Sequence, residues 1–317
     1  MTSGTHDDGR PGVIHARPVP HPGRWVGVVV IGVLIAMLVS SFVTNPNWDL
    51  PTAVQIMIQQ SVIEGLIYGT LLGTVGSMIL GVVLGLLLAV MRLSPNPVLR
   101  AVSFAYTWFF RAIPRYVLLG SMGSGLTYLY HTMDIGLPFG QQIAQLFHLS
   151  SDLTIATLDI RDISNTIIIG ILGLGLSEAA YIAEIARAGM LSVDKGQTEA
   201  AQALGMSRGK TMRRIVLPQA MRVIIPPTGN ETIAMVKDTS LLAAVPVNTE
   251  LYFRAQAIGN FLGTTMAYFV AATAWYLIVC SVLMVGQHYM ERYFGRGFGE
   301  PKSAKAPPRV PAGGEGG

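Results

Sequence analysis

The chain has 317 residues, of which 51% are hydrophobic and 13% are charged. Soluble globular domains carry about 25% charged residues, so this composition indicates a protein that crosses a membrane several times. The single cysteine, Cys280, excludes a disulfide framework and a thiolate metal cluster. The net charge of +4 comes from basic residues at the ends of apolar segments, which indicates membrane topology and not nucleic-acid binding.

Apolar segments of membrane-spanning length follow one another along the chain. A helix needs about 20 apolar residues to cross the hydrocarbon core of a bilayer. A weaker segment, 228–247, is interrupted by Lys237 and Asp238, and Pro226-Pro227 bounds it at spanning length. The clear segments are 25–43, 66–91, 114–132, 163–187 and 264–288. We therefore predict an all-α polytopic membrane protein with about six transmembrane helices.

The two ends of the chain differ in composition from these spans. Residues 1–24 and 296–317 are rich in Gly, Pro and charged residues, and we predict that both tails are disordered. A cleaved secretory signal is the alternative for 25–43. No A-x-A cleavage site follows that segment, so we predict a retained first transmembrane helix.

The basic residues predict the orientation, because Lys and Arg concentrate in cytoplasmic loops. Three lie in the N-terminal tail, four in 92–115, seven in 187–222 and five in the C-terminal tail. These nineteen stand against Arg161 and Arg254 on the other side. Both termini are therefore predicted to be cytoplasmic. Residues 133–162 become the sizeable extracytoplasmic loop, which either contacts a binding protein or is simply solvated.

The second span is rich in glycine at helical spacing. Such stripes of small residues let helices approach closely inside a membrane. They line an interface between subunits, an interface within the chain, or only a tightly packed bundle. The glycines are Gly65, Gly69, Gly73, Gly81 and Gly85.

The polar loop between the fourth and fifth spans carries the most informative spacing. Small residues there let a short helix approach a partner closely, and Pro218 is predicted to end the next helix. An exposed helix-turn-helix linker is the alternative interpretation. A phosphate-binding loop is excluded, because three residues separate Gly205 from Gly209 where that loop needs four. The fixed positions are Glu199, Ala200, Ala201, Gly205, Ile215, Leu217 and Pro218.

This spacing resembles the EAA loop (EAA-x3-G-x9-I-x-LP) of the permease subunits of bacterial ATP-binding-cassette (ABC) importers. Further stretches resemble the polar amino-acid branch of that family: 179–189 is similar to AAY-x-AE-I-x-RAG, 196–201 to GQ-x-EAA, and 237–241 to K-x-TSL. The resemblance covers about 66–290. It departs at 110–115, which reads FRAIPR where the branch has FRGTP and then aliphatic residues, and at 242–244, where LAA replaces small polar residues.

The resemblance implies an ABC transporter type-1 transmembrane domain over 66–290, with its EAA loop in 188–222. The protein would lie in the bacterial cytoplasmic membrane and work with ABC ATPase subunits. An extracytoplasmic amino-acid-binding protein and a second permease subunit, identical or paralogous, would complete the importer. The chain itself would have no catalytic residue, metal or cofactor, since the partner ATPase uses the ATP.

Charged residues inside the predicted spans indicate the translocation path. Charge near the bilayer middle is costly, and residues such as Glu178 and Lys237 usually face the bundle interior in pairs. They either meet the carboxylate and ammonium of a zwitterionic amino acid or pair with one another. In both cases we expect the path to run beside them. The candidates are Glu178, Tyr181, Lys237, Asp238, Thr239 and Ser240.

Two other classes of function find less support in the sequence. An intramembrane hydrolase needs a Ser/His or paired-Asp constellation within the spans, and the six histidines show no ligand spacing such as H-E-x-x-H. A secondary transporter driven by an ion gradient would show internal repeats and would have no need of an ATPase-docking loop.

Overall fold

The computed structural model describes residues 22–148, 154–160, 162, 166–245 and 247–295. Of the tails predicted to be disordered, 296–317 lies outside these residues, and so does 1–24 apart from residues 22–24. The chain divides into two units, Met1–Trp48 and Asp49–Gly317.

The first unit contains helix α1, Pro22–Val43, which begins three residues before the predicted span at 25–43. Its segment Gly23–Val43 has a mean hydropathy of 2.8, and apolar side chains occupy its whole circumference. A short 3-10 turn, Pro46–Trp48, follows, and the Trp48 ring packs edge-on against Phe42 with centroids 4.5 Å apart.

The second unit is a helical bundle with one small hairpin. Among the described residues, four helices are long and apolar enough to cross a bilayer: Gly23–Val43, Gln60–Leu93, Ile167–Leu191 and Thr265–Phe294. The helices are α2 Leu50–Met57, α3 Gln60–Leu93 with a π-helical part Gly65–Leu71, α4 Pro97–Ala112, α5 at 115–129, α6 Gly140–Leu146, α7 Ile167–Leu191, α8 Lys195–Ala203, α9 Arg208–Thr211, α10 Leu217–Asp238, α11 Leu251–Leu262 and α12 Thr265–Phe294.

Helix α4 lies in a region that the sequence analysis treated as a cytoplasmic loop. Asn96 begins it, because its side chain accepts a hydrogen bond from the Val98 amide at 2.9 Å and Pro97 suits the first helical turn. The buried Ser103 hydroxyl donates to the Leu88 carbonyl at 2.8 Å. Tyr106 donates to the Leu176 carbonyl at 2.9 Å. These bonds attach α4 to both α3 and α7.

Two predicted spans contain interrupted helices. The segment 114–132 holds α5, whose middle is a π-helical turn, Ser121–Gly125. The segment 228–247 holds the second half of α10 and a 3-10 continuation, Thr239–Ala244. Pro226 and Pro227 were expected to bound that segment, but both lie inside α10. Each proline removes one intrahelical hydrogen bond because it has no amide hydrogen, yet the helix continues through both. The Pro226 carbonyl accepts a hydrogen bond from the Gln287 side chain on α12 at 2.8 Å.

The segment after α5 contains an antiparallel hairpin that was not predicted from the sequence. Strand β1, Thr132–Gly136, pairs with β2, Thr154–Asp159, so that Thr132 faces Asp159 and Asp134 faces Thr157. Helix α6 lies between the two strands in the chain. Both strands are exposed along their whole length.

The centre of the bundle is the pairing of α3 with α7. A Cβ atom on Gly81 would lie 2.8 Å from the Glu178 Cγ, and one on Gly85 would lie 2.7 Å from the Ile182 Cβ. At Gly69 a Cβ would overlap the backbone of 249–250. The glycine stripe of α3 is therefore a packing interface within the chain, because its members leave room for other helices and loops of the same subunit.

Candidate functional site

The loop with the EAA spacing folds as a short helix, a tight turn and a second helix. Asp194 caps α8 by accepting a hydrogen bond from the Gly196 amide at 2.6 Å. Ala201 is buried, whereas Glu199 and Ala200 are exposed on α8. Leu204, which follows α8, is 84% exposed.

Gly205 shapes the turn after α8. Its φ of 76° lies in the left-handed region that glycine adopts without strain. The Gly205 amide donates to the Gln202 carbonyl at 2.9 Å, and the Met206 amide donates to the Ala201 carbonyl at 3.0 Å. These two bonds form a Schellman motif, so the glycine of the EAA spacing is the residue that ends the helix.

Pro218 does not end a helix, contrary to the sequence-based prediction. A π-helical turn, Met212–Val216, joins α9 to α10, and Pro218 occupies the first turn of α10. A proline is tolerated there because the amide it lacks is one that a helix start leaves unbonded. Val216 is buried, Ile215 is half-buried, and Leu217 and Pro218 are exposed near the turn.

The intramembrane charges form a cluster around a residue that the sequence analysis placed on the cytoplasmic surface. The Arg115 guanidinium donates to the Glu178 Oε2 at 2.8 Å and also to the Asp238 Oδ2. It lies over the Tyr181 ring, 4.9 Å from the ring centroid. The side chain of Arg115 is only 14% exposed and that of Glu178 is fully buried. We call Arg115, Glu178, Tyr181 and Asp238 the central cluster.

The helices explain why these four side chains meet. Glu178 and Tyr181 are three residues apart on α7 and share a face. Arg115 begins α5 directly after Pro114 and so lies at the junction with α4. Asp238 ends α10, and Gly81 on α3 leaves the space that Glu178 fills. The cluster therefore depends on α3, α5, α7 and α10 together.

The other candidates for the translocation path lie elsewhere. Lys237 is exposed and lines a groove between α10 and α12 that also contains Cys280. Successive helical residues point about 100° apart, so Lys237 and Asp238 cannot face the same neighbours. Thr239 is buried and donates to the Val236 carbonyl at 2.7 Å, and Ser240 donates to the Lys237 carbonyl at 2.6 Å. The interpretation that Lys237 pairs with Glu178 or Asp238 is thus wrong, since Arg115 is their partner.

A cavity of 530 Å³ lies next to the central cluster, between α4 and α7. Arg111 also lies over the Tyr181 ring, 5.7 Å from its centroid. Arg92 stacks on Phe104 at 4.5 Å. The residues that line the cavity are Arg92, Phe104, Thr107, Trp108, Arg111, Ala112, Tyr181, Glu184 and Arg187. Together with the central cluster it forms a polar surface along one side of the bundle.

A second buried carboxylate was not identified from the sequence. Glu250 is fully buried and accepts from the Thr70 hydroxyl at 2.9 Å and the Tyr276 hydroxyl at 2.5 Å. It also caps α11 by accepting from the Tyr252 amide at 2.6 Å and the Phe253 amide at 3.3 Å. Burial raises the pKa of the Glu250 carboxyl, and these four donors act against that rise. Its contacts tie α11 to α3 and α12.

The role of Arg115 was also missed, although the sequence carried one indication of it. The stretch 110–115 departs from the family spacing by placing an arginine where aliphatic residues are usual. Only the folded chain shows its partners, which are 63 and 123 residues away. Glu250 had no such sign, since a single glutamate in a connecting segment carries no pattern.

A bundle of long apolar helices with charges in its interior and an exposed polar loop defines a transmembrane subunit of a transporter. The sequence profile of the family described as "Binding-protein-dependent transport system inner membrane component" matches residues 81–295. The chain therefore belongs to this family. It is a multi-pass permease subunit of an ATP-driven importer of the ABC type, as the EAA spacing predicted.

Individual relatives agree with this placement. The arginine transport system permease protein ArgU of Corynebacterium glutamicum is 42% identical over 294 residues, which are 91% of this chain and 85% of that protein. The glutamine transport system permease protein GlnP of Escherichia coli K12 is 42% identical over 119 residues, 37% of this chain and 53% of that protein.

A solved structure shares the fold. The crystal structure of an amino acid ABC transporter with histidines superposes with a TM-score of 0.61 at 27% identity and covers 77% of this chain and 98% of that chain. The predicted resemblance to the polar amino-acid branch of ABC permeases is thereby confirmed.

Proposed function

We propose that this subunit forms the translocation path for a cationic amino acid in an ATP-driven importer. The central cluster carries the proposal, because it holds two carboxylates inside the bundle against one guanidinium. Glu231 lies seven residues before Asp238, on the same face of α10, and adds a third acidic group. Acidic groups at this depth favour a positively charged substrate. The name of the Corynebacterium relative, an arginine transport permease, points the same way.

In this proposal the substrate arrives from an extracytoplasmic binding protein and passes the central cluster on its way in. The permease works with a second permease subunit, identical or paralogous, that completes the path. Both termini and the EAA loop face the cytoplasm. Arg115 lies in the bundle interior and no longer counts as a cytoplasmic basic residue. The other eighteen basic residues on the cytoplasmic side still outnumber the two, Arg161 and Arg254, on the opposite side.

Coupling to ATP runs through the exposed surface of the EAA loop. A small patch of exposed apolar and acidic residues faces an ATPase subunit there. It consists of Glu199, Ala200, Leu204 and Gly205. ATP closes the two ATPase subunits on each other, and the attached loops transmit this motion to the bundle as a rigid-body switch. The chain itself hydrolyses no ATP, holds no metal or cofactor and binds no nucleic acid.

The test is substrate-stimulated ATP hydrolysis by the complete transporter, with Glu178→Gln in place of the wild-type permease. We expect the apparent affinity for arginine to fall, because the substituted side chain no longer contributes a charge to the central cluster. Glu184→Gln on the same helix is the matched control, since Glu184 bonds Arg187 at the edge of the cavity and lies outside the cluster. Unchanged affinity and selectivity in Glu178→Gln would remove Glu178 from the substrate path.

A further inference from the structure

The central cluster already contains a bound cation, which is a side chain of the protein. Two carboxylates and an aromatic face surround the Arg115 guanidinium: Glu178 and Asp238 accept from its two terminal nitrogens, and Tyr181 lies beneath it at 4.9 Å. Each carboxylate accepts one hydrogen bond, and carboxylate oxygens at the terminal nitrogens together with an aromatic ring at the face are groups that recognise a guanidinium. The same three residues therefore form a site that fits a guanidinium or ammonium group from outside.

The site can accept further hydrogen bonds while Arg115 occupies it. The Glu178 Oε1 atom is buried and has no hydrogen-bond partner within the described part of the chain. A buried acceptor without a partner is costly, so this oxygen is available to a further donor. The Asp238 side chain is 30% exposed, which leaves the site open on that side. A second guanidinium, that of Arg111, already lies 5.7 Å from the Tyr181 ring centroid, so an incoming cation replaces Arg115 and does not add to it.

The position of Arg115 allows it to leave. Helix α4 ends at Ala112, and Ile113 and Pro114 are extended, so Arg115 begins a new helix at the break. Its side chain reaches Glu178 and Asp238 from the first residue of α5, so no preceding helical turn surrounds it. Small rotations at this junction move the guanidinium without unfolding either helix.

We propose that Arg115 is a resident cation of a binding site formed by Glu178, Asp238 and Tyr181, and that the cationic side chain of the transported amino acid displaces it. The inference rests on the proposed function, since it names how the substrate class of the same site is selected. A cationic substrate replaces the charge that Arg115 withdraws. A neutral one leaves the buried Glu178 and the partly exposed Asp238 without a positive partner, so it is rejected even when its shape fits.

Competition by a tethered side chain has a measurable consequence. The apparent affinity for a ligand falls in proportion to the fraction of protein in which the site is free. If Arg115 occupies the site about nine-tenths of the time, removing it raises the apparent affinity for a cationic ligand about tenfold. The affinity for a neutral ligand of the same shape does not rise.

The experiment measures binding of L-arginine and L-citrulline to the full-length permease, assembled with its ATPase subunits in lipid nanodiscs without ATP. Citrulline has the shape of arginine but carries no side-chain charge. Arg115→Ala is expected to bind arginine about tenfold more tightly than the wild type, with citrulline unchanged. Arginine is also expected to raise the unfolding temperature of Arg115→Ala more than that of the wild type, because it restores the missing cation.

Controls separate competition from structural support. Arg115→Ala leaves two carboxylates without a partner and can fail to fold, so Arg115→Gln/Asp238→Asn is measured beside it. This double variant loses one charge of each sign and keeps the fully buried Glu178 as an acceptor. It is expected to retain part of the gain in arginine binding, because Asp238 is 30% exposed and its charge is better screened. Arg115→Ala/Glu178→Gln removes the acceptor and is expected to lose most of the gain.

The outcomes are decisive for the inference. Equal or weaker arginine binding in both Arg115→Ala and Arg115→Gln/Asp238→Asn would mean that Arg115 holds the bundle together and does not compete. An equal rise in citrulline binding would point to added space, not to a released charge. Failure of the proposed function is distinguishable, because it would be an absence of ATP-driven arginine uptake by the wild-type transporter, whatever the variants bind.

Discussion

Substitutions at Gly205 separate the shape of the EAA loop from its contact with a partner. The φ of 76° penalises most side chains by about 1–2 kcal/mol, which corresponds to roughly a 5–30-fold smaller population of the native turn. A Cβ at Gly205 meets no atom within 4 Å, so no steric clash is added within the subunit. Gly205→Val therefore weakens the Schellman turn through strain alone. Asn and Asp visit the left-handed region more readily, and Gly205→Asn and Gly205→Asp largely keep the turn.

The assay is ATP-driven amino-acid uptake into proteoliposomes, together with hydrogen exchange of the amides in 195–218. Gly205→Val is expected to exchange faster and to couple poorly. Gly205→Asn and Gly205→Asp are expected to exchange as the wild type does, yet to uncouple ATP hydrolysis from uptake, because their side chains intrude on the docked ATPase. Normal uptake by both of these variants, in a protein that inserts normally, would refute the docking role of Gly205.

Three further predictions concern the interior of the bundle, and each is checked by thermal or denaturant unfolding of the purified permease. Glu250→Gln is expected to lose about 3 kcal/mol of stability, because the buried acceptor of four hydrogen bonds loses its charge, whereas the exposed Glu64→Gln is neutral. Gly81→Ala is expected to cost about 1–3 kcal/mol by pushing Glu178 away, and Gly120→Ala, with open space around it, is the matched control. Replacing Glu178 with Gln in the Gly81→Ala background is expected to cost less than the sum of the two changes, since both disturb one contact.

The sequence predicted those features that depend on local pattern. Apolar runs of spanning length located α1, α3, α7 and α12, and the fixed spacing of the EAA loop located a short helix that carries small residues. The predicted glycine stripe of α3 also corresponds to close packing. Each of these depends on residues near one another in the chain, where composition and spacing determine the outcome.

Features that depend on distant contacts were missed or misread. Helix α4 contains polar and basic residues and has no long apolar run. Its buried Ser103 and half-buried Tyr106 find partners on α3 and α7 only in the folded bundle. Pro218 and Pro226 were taken as helix boundaries, because a proline breaks an isolated helix. In α10 the first lies where a helix start tolerates it, and the second lies inside a helix that continues through Pro226 and Pro227.

Arg115 shows most clearly why the candidate site was only partly predictable. Glu178, Tyr181 and Asp238 were named as path candidates within spans, and the structure brings them together around Arg115. Their partner, Arg115, was assigned to the cytoplasmic surface because a basic residue near the end of a span usually marks the cytoplasmic side of the membrane. The bond between Arg115 and Asp238 joins residues 123 positions apart, and no local pattern contains that information.

The central claim is that this subunit carries a cationic amino acid at the expense of ATP hydrolysed by another chain. Its most direct test is uptake of labelled arginine into proteoliposomes that contain the permease, its ATPase subunits and its binding protein. We predict accumulation that requires ATP, the ATPase and the binding protein together, and that excess lysine reduces more than excess citrulline. Uptake that persists without the ATPase, or that citrulline reduces as strongly as lysine, would contradict the account.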